Sequence, residues 1–328
     1  MLRDDRHLAA RPPVESGHQA DAKGRAMPDV PTDEEVQAFL NEHSNWGRWG
    51  DDDNRGALNL VTPEKRLEAI GLVQTGRQVS LSRYWPKRPG PLNPSPAQHF
   101  PQWTDRGVSG GAVDYYGISY HGYTTTHIDA LCHVWDADGG WQGRNYADVM
   151  TSTGARHGAV TAWEDGIVTR GVLLDVPRFR GEPFVTVDNP VTGAELAAVA
   201  NAQGVEVRPG DALAVYSGRE KWQDEHPTTF MGGGGSPGLH ASCSMFIRER
   251  DVAMLSWDMM DYRAPDSELP WPVHSVLYKF GVCLMDNALL QPLAEACVEE
   301  GRQDFMLMVL PLRVEGGTGS PVNPVAMF

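Results

Sequence analysis

Three residues able to bind a divalent cation, His127, Asp129 and His133, fall within the short stretch Thr126-His127-Ile128-Asp129-Ala130-Leu131-Cys132-His133. Side chains two apart on a β-strand share a face, so His127 and Asp129 are expected to point the same way, continued backwards by Thr125, Tyr123 and His121. His133 returns to the same place if the strand bends after Ala130. Imidazole nitrogens with one carboxylate suit zinc or manganese and leave positions open for water and substrate. The same spacing also fits histidines that only make hydrogen bonds on a half-apolar strand. It therefore names a candidate site and not yet a reaction.

Further residues extend the candidate set. His240, after Gly238-Leu239 at a helix start, either faces a pocket or caps that helix. His274, in Pro272-Val273-His274-Ser275 before an apolar run, either lines the site or is structural. The Thr126 hydroxyl is placed to support the geometry of the neighbouring ligands. Trp85, Phe100, Trp103, Tyr123 and Trp141 offer an aromatic wall for a planar substrate, or ordinary packing, or a contact between subunits. Gly232–Gly235 lacks the Lys-Ser/Thr of a phosphate loop and reads as a flap or hinge beside the site. Gly316-Gly317-Thr318-Gly319 either presents backbone amides to an anion or makes a tight turn. The Gly-x-Ser-x-Gly spacing at Gly234-Gly235-Ser236-Pro237-Gly238 has no strand-like apolar run before it, so it is not read as a nucleophile elbow.

The elements that must position these residues read as an α/β core. Strand-like runs at Val172–Val176, Ala212–Tyr216, Val252–Trp257, Val282–Met285 and Phe305–Leu310 alternate with helical patterns near 193–203, 240–250, 272–280 and 290–300. A capping box at Thr32–Glu35 and a proline at the first helical position after Thr62 start two earlier helices. Between them and the core, residues 79–110 are rich in Pro, Gly and aromatics and read as a long functional or contact loop. Residues 1–30 are polar and aperiodic, a disordered tail, and residues 31–328 read as one domain.

Composition narrows the function. The 328 residues carry 28 Lys and Arg against 43 Asp and Glu, a formal charge of −15 with no basic cluster, so a nucleic-acid partner is not expected. Cys132, Cys243, Cys283 and Cys297 form no Cys-x-x-Cys pair, which points to reduced, buried thiols. No apolar run approaches the roughly 20 residues of a membrane span, and the N-terminus lacks a signal-peptide core. A cytoplasmic protein acting on a small molecule is expected.

The stretch from Thr126 to His133 resembles the second half of the signature His-x-Gly-Thr-His-x-Asp-x-Pro-x-His of the cyclase family, which includes bacterial kynurenine formamidase and isatin hydrolase. The likeness extends from about residue 46 to the C-terminus. It includes Trp49-Gly-Asp-Asp-Asp-Asn54-Arg-Gly-Ala-Leu-Asn59, Pro209-Gly210-Asp211, Pro237-Gly238-Leu239-His240, Pro311-Leu312-Arg313 and Gly316 through Pro324. The resemblance implies a swivelling β/β/α-type layered domain around a mixed sheet, assembled as a homodimer or homotetramer. It implies His127 and Asp129 as metal ligands and His133 as a further ligand or the general base. The family's first histidine falls on Tyr123, with His121 two residues earlier, and a changed register or bulge would bring His121 into that place. The family's proline is Leu131. The glutamate that completes a second metal site in many members is missing, with Met245 in that stretch and no carboxylate before Glu249, so one ion is expected.

The expected chemistry is hydrolysis of a small amide, lactam or ester by metal-activated water, with His133 or His240 handling the proton and Tyr123, Trp85, Phe100, Trp103 and His274 contacting substrate. Two other readings are a cyclisation or dehydration at the same metal, and a binding protein on a scaffold that has lost its metal.

Overall fold

The computed structural model describes residues 30–90, 93–227 and 236–328. The tail expected at residues 1–30 and the flap expected at Gly232–Gly235 lie outside the described residues, except for Val30. Thirteen strands are present among the described residues: β1 (Gln78–Ser80), β2 (Gln98–Asp105), β3 (Gly110–Gly117), β4 (His127–Asp129), β5 (Met150–Thr151), β6 (Gly154–Ala155), β7 (Ile167–Asp175), β8 (Ala212–Tyr216), β9 (Met254–Trp257), β10 (Cys283–Asp286), β11 (Asp304–Val309), β12 (Gly319–Pro321) and β13 (Val325–Met327). Nine of them form one mixed sheet in the order β1-β13-β11-β7-β8-β9-β10-β4-β12.

Its centre, β7 to β10, is parallel, and β4, β11, β12, β13 and β1 run antiparallel to their neighbours. β8, β9 and β10 are buried at every position. Such unbroken apolar runs are the mark of strands covered on both faces. The helices Gly193–Gln203, Cys243–Glu249, Ser275–Phe280 and Gln291–Glu300 fall where the sequence pattern places them. Thr32 makes its capping box with Glu35, and Thr62 caps a helix with Pro63 in its first turn.

Two expectations are corrected. The loop read at residues 79–110 holds β2, which pairs with β3 in a hairpin from Gln98↔Gly117 to Asp105↔Gly110. The hairpin is exposed along nearly its whole length, and that made its period hard to see. The strand read through His121, Tyr123 and Thr125 is absent as well. Residues 118–126 are irregular, and strand pairing begins only at His127. β4 is three residues long because it is wedged between β10 and β12, with His127 opposite both Asp286 and Pro321, and Asp129 opposite Leu284 and Gly319.

Candidate metal centre

β4 fixes the floor of the site. His127 and Asp129 leave the same face of one strand, two residues apart, and both are buried. The His127 Nδ1 lies 2.8 Å from the carbonyl of Thr125. A carbonyl only accepts, so Nδ1 carries a proton and Nε2 is the nitrogen turned to Asp129, 3.3 Å from its Oδ1; burial opposes charge on this ring, but Asp129 and Asp286 raise its pKa above 6.5.

His121 arrives by a different route. It sits in the irregular segment before β4 and turns its Nδ1 to within 2.9 Å of Asp129 Oδ1, while its Nε2 meets Thr318 Oγ1 at 3.0 Å. Gly319 leaves room for this: a Cβ there would meet the Ile128 carbonyl at 2.3 Å and His121 Cε1 at 3.1 Å. His133 returns through the turn expected after Ala130, closed by a bond from its N–H to the Ala130 carbonyl. Its ring stacks on His121 with centroids 3.8 Å apart and planes 4° from parallel, and its Nε2 lies 3.8 Å from Asp129 Oδ2.

Asp129 therefore has imidazole nitrogens on several sides. Yet among the described residues neither of its oxygens makes a hydrogen bond, nor does the buried His121 Nδ1. A buried carboxylate without partners is costly unless a cation or proton sits among its neighbours. Burial alone would raise its pKa, but the neighbouring imidazoles of His133, His127 and His121 hold it well below the usual carboxylate range. His133 is pushed down to about 4, chiefly by burial, so at neutral pH its nitrogen is free to bind an ion.

Two groups of donors have atoms within 4.8 Å of one another: His121, Asp129 and His133, and His127, Asp129 and Asp286. They differ in availability. Asp286 already accepts from Trp257 Nε1 at 2.5 Å and meets His274 Nε2 at 3.2 Å, whereas both Asp129 oxygens are bare. His121 and His133 are also about a quarter exposed, against a fully buried Asp129, so the first group is the one that faces solvent.

His274 is more deeply built in than a substrate contact requires. Its Nδ1 lies 2.5 Å from Asp261 Oδ2, its Nε2 also lies 3.9 Å from Asp129 Oδ2, and Trp257 and Trp271 pack against the ring. With a carboxylate at each nitrogen both must donate. Burial opposes the charge, but Asp261 and Asp286 overcome it and raise the pKa well above 6.5. Tyr123 is half-buried, and burial raises its phenol pKa, with His274, Asp261, Asp286 and Arg263 acting on it. Thr126 bonds no ligand directly: its hydroxyl donates to the Asn287 carbonyl at 2.8 Å and accepts from the Arg83 N–H at 3.0 Å.

Other candidates stand apart. His240 is in neither donor group. Its Nδ1 accepts from the Ser242 N–H at 3.1 Å, ahead of the helix that starts at Cys243, whose N-cap Ser242 receives no side-chain cap bond. Trp85 packs on Tyr116 and Phe100 on Tyr115, both hairpin contacts, and Trp103 is 76 % exposed. Trp141 is buried with its Nε1 on the Asp53 carbonyl, a packing residue. Sequence reasoning missed Asp261, Asp286 and Asn287. The signal for Asp286 was a polar Asp-Asn pair ending an apolar parallel strand, where open α/β sheets place their sites.

His240 supplies a check on its own role. Burial holds its pKa below 6.5, against a weaker pull from Asp33. Unfolding restores the ordinary value and takes up a proton, so its contribution to stability is whole above pH 6.5 and falls as pH drops below it. His240→Gln is expected to flatten the decline in urea midpoint of metal-free protein between roughly pH 6.5 and 5. Parallel declines in variant and parent would refute the assignment.

The Cyclase family model, described as "Putative cyclase", matches residues 68–263, more than half of the chain. The chain belongs to the cyclase family. A crystal structure described as a novel cyclase is 31 % identical, with a TM-score of 0.78, covering 88 % of this chain and 99 % of its own. Isatin hydrolase A from Labrenzia aggregata, solved with benzyl benzoate, is 18 % identical with a TM-score of 0.55, covering 79 % of this chain and 94 % of its own. An isatin hydrolase solved with the product analogue thioisatinate is 15 % identical with a TM-score of 0.54, covering 81 % and 98 %. The last two share the fold. No curated protein matches the sequence. The α/β layered fold around a mixed sheet is thus that of the cyclase family, and no helix among the described residues is long and apolar enough to cross a membrane.

Proposed function

We propose that this cyclase-family chain is a metal-dependent hydrolase of a small amide, lactam or ester, with one divalent ion, manganese or zinc, held by Asp129 and the imidazoles of His127, His121 and His133. The observation that carries this reading is Asp129: buried, without a hydrogen bond among the described residues, and faced by nitrogens of His127, His121 and His133. These donors fit a borderline divalent cation. An ion there acidifies water toward neutrality and polarises a carbonyl, the chemistry of hydrolysis.

The chain's own residues do the rest. His127, its tautomer set by the Thr125 carbonyl, closes the inner side of the site. His274, charged between Asp261 and Asp286, holds a proton beside Asp129 and donates it to the leaving nitrogen or oxygen. It takes the role that the sequence alone offers to His133 or His240. Tyr123, half-buried and within the electrostatic reach of His274, supplies a ring for substrate contact. The alternative of a scaffold without its metal rests on the missing first histidine and the missing glutamate; the approach of His121 to Asp129 from outside the strand supports His121 in the histidine's place.

The test begins with protein stripped by chelator and reloaded with Mn²⁺ or Zn²⁺. About one ion per chain and recovered hydrolysis of N-formyl amides, lactams or lactones, with ¹⁸O from water in the product, is expected. Ion-dependent turnover without solvent oxygen in the product would favour cyclisation or dehydration instead. A chain that takes up neither ion would sink the metal mechanism.

A further inference from the structure

We infer that Asn287, locked by the buried Arg219, is a positioning residue that sets both the path of the His121 segment and the tautomer of His127. This rests on the metal-site reading above and adds to it the device that holds the ligands in place.

The irregular segment 118–126 has no strand pairing of its own, yet it must deliver His121 and enter β4 in register. Asn287 directly follows Asp286 at the end of β10, is fully buried, and adopts a left-handed backbone with φ 54°. Asparagine tolerates that conformation better than most side chains. Its Nδ2 donates to the Gly122 carbonyl at 2.6 Å and to the Thr125 carbonyl at 3.1 Å. Its own carbonyl accepts from Thr126 Oγ1 and from Arg83 Nε. One residue therefore grips the segment at three successive points just before His127.

The grip at Thr125 matters most. That carbonyl is also the acceptor that keeps a proton on His127 Nδ1 and turns Nε2 toward Asp129. Such secondary hydrogen bonds orient metal-binding histidines.

Arg219 makes the arrangement unique. It is buried, its Nη1 donates to Asn287 Oδ1 at 2.5 Å and to the Asp258 carbonyl, and its Nη2 donates to the Tyr123 carbonyl. Because a guanidinium has no acceptor, Asn287 must turn its oxygen to Arg219 and its nitrogen to the segment. Asp258 in turn accepts from the backbone N–H groups of Ser217, Gly218 and Arg219, fixing the start of the helix Arg219–Glu225. Residues just past the ends of β8, β9 and β10 thus converge beneath one segment.

The test uses Asn287→Gly, which keeps the left-handed backbone unstrained and deletes only the side chain. In ¹⁵N-histidine spectra of chelated protein, taken at a pH above the His127 titration so that the ring is neutral, the parent is expected to show one His127 signal of the Nδ1–H form, and the variant a mixture of tautomers. Mn²⁺ affinity by electron paramagnetic resonance titration is expected to fall about 10- to 100-fold, the range for such supporting partners. Leu293→Ala, in a helix away from the site, supplies a variant of lowered melting temperature whose Mn²⁺ affinity stays at the parent value. Should Asn287→Gly fail to fold, Asn287→Asp, which keeps the oxygen for Arg219 and loses both donors, is read by the same two measurements. A single unchanged His127 tautomer with Mn²⁺ affinity within twofold of the parent overturns the inference. A parent that binds no ion defeats the metal reading alone, and the tautomer signal in metal-free protein then decides the positioning role by itself.

Discussion

Asp129→Ala is expected to abolish uptake of Mn²⁺ or Zn²⁺ and to lower hydrolysis by about 10³-fold or more, since an ion's stabilisation of charge is worth several kcal/mol. No other residue can take its place, because His121, His127 and His133 each approach Asp129 and not a second carboxylate on the exposed side. Asp286 is the only other carboxylate in a donor group among the described residues, and both of its oxygens are engaged by Trp257 and His274. The metal-free variant should still fold, because the side chain removed makes no hydrogen bond. The parent's melting temperature should rise when ion is added, as for any ligand that binds only the folded state, and the variant's should not move. Elemental analysis and the melting curve decide it: one ion per chain in the variant, with the thermal shift intact, would remove Asp129 from the site.

His274→Gln is expected to do the opposite to the ion and the same to turnover. Ion content should stay near one per chain while activity falls about 10²- to 10⁴-fold, the usual worth of a positioned proton donor. The argument is local. A histidine between Asp261 and Asp286 is charged and donates at both nitrogens, and glutamine can reach one carboxylate with a neutral amide that carries no transferable proton. Parallel measurement of ion content and turnover separates the roles: lost ion would make His274 a ligand, and full activity would remove it from proton transfer.

The sequence by itself determined the strands and helices of the parallel core, because their apolar runs and helical patterns are local signals. It also placed His127, Asp129 and the returning His133, since two-residue spacing on a strand and a turn after Ala130 are short-range geometry. The resemblance to the cyclase family, read from the same stretch, agrees with the family match and the fold. The rest depended on distance along the chain. His121 enters from an irregular segment whose path is set by Asn287 and Arg219, 165 residues and 96 residues from the carbonyls they hold. His274 joins the site only because β10 lies beside β4 and brings Asp286 opposite His127. The aromatics Phe100 and Trp103, which a one-dimensional reading gathers around a substrate, extend on a solvent-exposed hairpin instead. Local periodicity decides what each short element is, whereas sheet order and long-range hydrogen bonds decide which side chains meet, and those have no periodic trace in the chain.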